Sequence, residues 1–219
     1  MSTSPPAGPA RKGAKEPGGS SPGAANPGKE PRTERGRRTL RKLLDAAAAE
    51  FGDRGFHEAS ISGITRRAGI ALGSFYTYFD SKDEIFRALV SDMSEMVRTH
   101  SAREVQPDMK PLEIETAALR GFLRFAREHK EVYRIIDEAE FVDHASYMEH
   151  YQSTAERIAE RLARGGEIGA FRKDLDEAHA WAIMGMYVFL GMRFAVLDED
   201  RPLDEVVEVA GELLRRGIA

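Results

Sequence analysis

The stretch from Ser60 to Lys82, SISGITRRAGIALGSFYTYFDSK, constrains the fold of this chain more than any other. Ser60 stands where a side chain caps a helix, and Ile61, Ile64 and Ala68 give that helix one buried stripe. Gly69 follows where a helix must stop in the left-handed conformation, and Ile70 re-enters the core one residue later, so the turn is short. A short third helix is expected over Ala71 to Phe79, and Ser81-Lys82-Asp83-Glu84 matches the capping box that starts a fourth. Two short helices across a tight turn, feeding a longer helix, are the layout of a helix-turn-helix.

The leading end of the third helix carries Ala71, Leu72, Gly73 and Ser74, mostly thin side chains that let a backbone approach a duplex closely, with rings behind them. Of those rings, Phe75 and Phe79 are expected in the core. Tyr76 lies one residue round the helix, where a phenol can donate to a phosphate; Thr77 can do the same, and Lys82 is expected to face the DNA backbone as a point charge. Upstream, Leu40, Leu43, Leu44, Ala47 and Phe51 fall at spacings of three and four, giving a first helix from about Arg35 that Gly52 and Gly55 end. His57 has no second metal-type residue spaced with it and reads as a surface residue.

In order, LLDAAAAEFGDRGF and SISGITRRAGIALGSFYTYFDSKDEIF resemble the N-terminal DNA-binding domain of the TetR family of transcriptional regulators, over about Arg37 to Leu89. The resemblance implies that Ser60, Leu72, Ser74, Tyr76, Thr77 and Lys82 touch double-stranded DNA. Leu72 departs from the pattern, standing where a basic or polar residue is frequent. Base reading there has to be apolar, as to a thymine methyl.

Charge divides the chain. Met1 to Lys82 holds 14 Lys and Arg against 8 Asp and Glu, and the remainder 18 against 28, so an anionic partner is expected to meet only the front. Residues 1 to 31 contain seven prolines and six glycines with almost nothing large and apolar, and a disordered tail is expected over 1–34. Its basic residues, continued by Arg35, Arg37 and Arg38, would add phosphate attraction or a minor-groove arm; a solubilising tail is the plainer reading. Arg38, Ala71 and Gly73 complete the expected DNA-binding set. With no cysteine there is no disulfide, thiol catalysis or cysteine-ligated zinc, and a reducing, cytoplasmic location is expected. The basic N-terminus lacks the apolar segment of a secretory signal. The apolar run Ala180 to Met192 stops at Arg193, short for a bilayer, so no membrane contact is expected.

Beyond Pro107 and Pro111 the pattern is helical: Leu112 to Glu128, a shorter Val132 to Ala139, and Ala145 to Arg164 ended by Gly165-Gly166. That glycine pair, with no strand before it and no suitable lysine after it, reads as a helix terminator and not a phosphate loop. Asp174 to Leu197 is apolar on nearly all sides and has to be covered from both faces. With the last helix, Leu203 to Arg216, it is expected to make a homodimer through Tyr187, Val188, Gly191, Val206, Val209, Ala210 and Leu213. The resemblance implies the same, a four-helix interface that suits a twofold DNA site.

The remaining faces offer an effector pocket from Met93, Met96, His100, Phe122, Phe125, Tyr133, Asp137, Phe141, Tyr147, Met148, Tyr151, Trp181 and Met184, methionine and aromatic groups being adaptable. Ordinary core packing competes at each position. His144 and His150 are six apart on different helix faces, so no metal site is read, and no cofactor loop is legible.

The expected fold is all-α: a helix-turn-helix DNA-binding domain over 35–82 and a helical effector-binding and dimerisation domain over 83–219. The expected function is a homodimeric repressor that binds a palindromic operator and is released by an apolar or aromatic small molecule. The resemblance extends this to a fatty-acyl or aromatic thioester, as in some TetR-like regulators of catabolism. The competing readings are a DNA-binding architectural or adaptor protein without effector, and an all-helical enzyme on a lipophilic substrate, for which no catalytic set is legible.

Overall fold

The structure, a computed structural model, describes residues 31–219, and the tail expected over 1–34 lies almost wholly outside them. The helices are α1 (Glu34–Glu58), α2 (Ile61–Ala68), α3 (Leu72–Phe75), α4 (Lys82–Arg103), α5 (Pro111–Glu128), α6 (Glu131–Val142), α7 (His144–Glu167), α8 (Glu177–Gly191) and α9 (Leu203–Ile218). A π-helical segment, Met192–Leu197, continues α8. No strand occurs among the described residues, and the class is all-α with the helix-turn-helix at the N-terminal end.

Helices α1 to α3 close over apolar rings. Phe51, Phe56 and Phe86 sit with centroids 5.0 to 5.8 Å apart, two of the three contacts edge-to-face, worth about 1 kcal/mol each beyond burial. A buried charge fastens the reading head beneath them. Glu50 on α1 is 1% exposed and accepts from Arg67 Nε of α2 at 2.6 Å. The helix above it carries Gly63, where a Cβ would fall 2.1 Å from Glu50 Oε1.

Two glycines act differently from the sequence reading. Gly52 does not end α1; a Cβ there would meet Glu131 Cβ at 2.7 Å, so the glycine admits α6 against α1. Gly55, at φ 77°, kinks the helix, a conformation that glycine adopts without a Cβ clash. Likewise Gly165 and Gly166 lie inside α7 and not beyond its end. Gly165 makes room for the Phe171 ring, and Gly169, at φ 71°, reverses the chain.

One apolar core unites the head with α4 and α6; the second joins α5 with α7, α8 and α9. Helix α4 contacts α1, α5, α6 and α7, so it belongs to both halves. Glu177–Leu197, counting the π-helical segment, is long and apolar enough by length and composition to cross a bilayer, contrary to the shorter run read from sequence. Its inner face, with Ile183, Met184 and Tyr187, is buried in the second core.

Candidate functional site

The head is built as its caps dictate. Ser60 Oγ accepts from the Gly63 N–H at 3.0 Å, and Gly69, at φ 66°, ends α2 with Ile70 N–H bonded back to Thr65 O at 3.1 Å. Helix α3 is a single turn, shorter than expected. After Phe75 the chain tightens, Thr77 N–H reaching Ser74 O and Tyr78 N–H reaching Phe75 O, both three residues back. Phe75 and Phe79 are buried, as their density predicts, while Ala71, Gly73, Ser74 and Thr77 are exposed and Leu72 and Tyr76 stand half open at 49% and 50%. Arg38 is exposed on α1.

Beyond its chain neighbours and its own helix backbone, Gly73 has no atom within 4 Å of the place its Cβ would take, and its φ is not in the left-handed region. Glycine in a helix costs about 1 kcal/mol relative to alanine. Nothing inside the protein requires it, so the space it leaves faces outward.

Lys82 corrects the sequence reading. Its Nζ donates to the carbonyls of Phe56 at 2.7 Å, Ala59 at 3.0 Å and His57 at 3.2 Å, and lies 4.5 Å from the Phe56 ring centroid. An ammonium has three donors, and all are spent on the end of α1, where the helix dipole is negative. It ties α4 to α1 and is not free to reach a phosphate.

A cavity of about 660 Å³ lies between α4, α5, α7 and α8. Its apolar walls include Val97, Ala118, Phe122, Ile158, Met184 and Val188, and the small residues Ser101, Ala102 and Gly165 also line it. Its charged lining is cationic. Arg98, Arg157, Arg161, Arg164 and His150 line it, and no Asp or Glu does. Arg161 is held in place by buried Glu115 through bonds of 2.6 and 2.9 Å, and Tyr187 donates to the Glu115 carbonyl at 2.8 Å. Burial, and then the neighbouring Arg157, push the His150 imidazole down to about 4, so the ring is neutral; its Nδ1 is 2.7 Å from Ser94 Oγ.

Of the expected pocket residues, Phe122, Tyr151 and Met184 line this cavity. Met93, Met96 and Phe125 instead border a second, charged hollow of about 600 Å³ beneath α1, with Arg41, Asp92 and Arg134. Tyr133 spends its hydroxyl on Val188 O at 2.8 Å, and His100 packs on Phe125 while bonded to Met96 O. Tyr147 stacks near His144 and Tyr151, Met148 is half-buried outside either hollow, and Asp137 faces solvent. Phe141 is 84% exposed and Trp181 opens outward with its indole on Glu177, so neither lines a cavity. The arginines went unread, although 157, 161 and 164 repeat at the helical spacing of one face of α7.

The expected dimer set also divides. Val206 and Ala210 are buried within the chain, Tyr187 is in the cavity wall, and Gly191 lies under Phe122 and Tyr133, where a Cβ would clash. Val188 is half-buried and lines the cavity. Val209 and Leu213 point outward on α9, and Trp181 and Phe189, unread for this role, point outward on α8.

A family model described as bacterial regulatory proteins of the tetR family matches residues 43–89. The HTH-type transcriptional regulator YdgC of Bacillus subtilis is 30% identical over 82% of this chain and 93% of its own length. The HTH-type transcriptional repressor KstR2 of Mycobacterium tuberculosis is 30% identical over 62% of this chain and 70% of its own. The transcriptional regulator FadR of Bacillus subtilis in complex with stearoyl-CoA shares the fold at a TM-score of 0.71, with 18% identity, covering 82% of this chain and 99% of that one. With the helix-turn-helix matched by the family model and a relative aligned along most of its length, the chain belongs to the TetR family of bacterial transcriptional regulators.

Proposed function

We propose that the protein is a homodimeric repressor that binds a palindromic operator and is released by an apolar or aromatic effector held between α4, α5, α7 and α8. The observation that carries this reading is helix α4. Ser81 starts it at the end of the reading head, accepting from Glu84 N–H at 3.1 Å, and its far half supplies Val97, Arg98, Ser101 and Ala102 to the cavity wall. At 1.5 Å per residue the helix is about 33 Å long, so a small tilt at the cavity displaces the head.

In this reading 35–82 is the DNA-binding domain and 83–219 the effector and dimer domain. Trp181, Phe189, Val209 and Leu213 meet their copies across a twofold axis, placing two heads in successive major grooves roughly 34 Å apart. Ala71 to Ser74 approach the bases, and Ser60, Tyr76, Thr77 and Arg38 lie against the backbone. An effector releases DNA only by binding the wrong-spaced dimer better, and a hundredfold preference, about 2.7 kcal/mol, suffices to matter. The stearoyl-CoA bound by FadR and the repressor role of KstR2 support this effector class and direction.

The test is selection of bound duplexes from a random pool by the full chain. A palindrome with half-sites about one helical turn apart is expected; binding without sequence preference at moderate salt refutes the reading.

A further inference from the structure

The cavity's charge is out of keeping with its half of the molecule. Residues beyond Lys82 carry a net negative charge, yet the cavity is lined by four arginines and no carboxylate. Three of the four are answered by an ion pair: Arg161 by Glu115, Arg98 by Glu95, and Arg164 by Glu160 at 3.8 Å. Arg157 is not. Among the described residues its guanidinium has a hydrogen bond from Nη2 to Thr154 Oγ1 at 2.9 Å and no ion pair.

An arginine stays charged in a protein, and a half-buried charge with no ion-pair partner is costly. Burial is the largest influence on Arg157, and repulsion from Arg161 and Arg98 comes ahead of the attraction of Glu95 and Glu156, so the local field favours an incoming anion. Opposite this cationic wall the cavity is apolar, with Val97, Ile114, Ala118, Phe122, Met184 and Val188. A neutral apolar ligand would leave Arg157 unpaired, and a small inorganic anion would leave the apolar walls unfilled.

We infer that the ligand of this cavity is an amphipathic anion, an acyl chain or apolar ring system bearing one acidic group, which Arg157 binds as its specificity-determining contact. The inference rests on the reading of the cavity as an effector site, but it is tested without DNA. The acidic group is either the carboxylate of a free acid or a phosphate of a thioester carrier, and the guanidinium fork suits both.

The test is titration calorimetry of the full chain with hexadecanoate, octanoate, the matching alcohols, and hexadecanoyl-CoA. At least one anion is expected to bind about tenfold or more tightly than the alcohol of its chain length. Binding by the free acids assigns the carboxylate; binding by the thioester alone assigns the phosphate. Arg157→Gln removes the preference and leaves alcohol binding within about twofold, and Arg157→Lys, which keeps the charge, restores part of it. Equal binding of acids, thioester and alcohols, or binding of none, overturns the inference. So does an Arg157→Gln variant that melts like the parent and keeps the preference. The operator selection stands or falls independently of these outcomes.

Discussion

Glu138 Oε2 accepts the backbone N–H of Phe56 at 2.6 Å, so a side chain of α6 closes the end of α1 immediately after the kink at Gly55. Beside it Arg134 donates to the carbonyls of Gly52 and Asp53 at 3.0 and 3.2 Å. The reading head is therefore held to the body at two places, by α4 and by this contact with α6.

Removing that acceptor should loosen the kink. Glu138→Ala leaves the Phe56 N–H unpaired in a partly buried site, which costs about 1 to 3 kcal/mol. Glu138→Gln keeps an acceptor oxygen and should recover most of it. Urea unfolding of the three proteins is the check, and an alanine variant as stable as the parent means that α6 does not hold the head.

Gly73 separates fold from function. With open space at its Cβ position and an ordinary φ, Gly73→Ala is expected to stabilise the protein by about 0.5 to 1 kcal/mol. The same methyl group should weaken operator binding, because it fills the gap between α3 and the duplex. Thermal melting and a band-shift titration read the two effects; unchanged affinity would falsify the close approach.

Lys82 makes the opposite separation. Lys82→Met strips three carbonyls of a charged donor and should cost about 2 kcal/mol of stability. A phosphate contact would lower the slope of log K against log salt by about 1 when removed. Here the slope is expected to stay the same, and a reduced slope would return Lys82 to the DNA interface.

What the sequence disclosed and what it hid follow from the range of the forces involved. Ser60, Gly69 and Ser81 were legible because a cap acts within three or four residues of itself, and Phe75 and Phe79 because ring density in a short helix leaves little choice. Lys82 was misread because its acceptors lie 23 to 26 residues upstream. Trp181, Val206 and Ala210 were misplaced because a helix that is apolar all round, or one whose neighbours are unknown, does not reveal which face meets which partner. The cavity arginines are hidden for a different reason: their helical spacing is visible, but charge at that spacing marks a solvated face as readily as a cavity wall.

The outward faces of α8 and α9 give a prediction about assembly. Phe189 is 65% exposed and Leu213 61%, so a charge at either site should leave the folded chain intact. Phe189→Glu and Leu213→Glu are each expected to convert a dimer to a monomer in sedimentation velocity and to abolish tight operator binding. A variant that remains dimeric places the interface elsewhere.

His150 sets the acid limb of stability. Its folded-state value of about 4 lies below the ordinary value of 6.5, so between these the unfolded chain binds the extra proton. The stability held by the neutral ring is complete above about pH 6.5 and is lost as pH falls towards 4, by up to about 3 kcal/mol. Burial is the larger cause, with Arg157 second, and the Ser94 hydroxyl lies at hydrogen-bond distance from Nδ1. His150→Gln should therefore flatten the stability profile across that window while leaving the plateau above neutrality close to that of the parent. Denaturant midpoints taken across the window decide it, and a variant with an unaltered acid limb shows that other groups cause the loss.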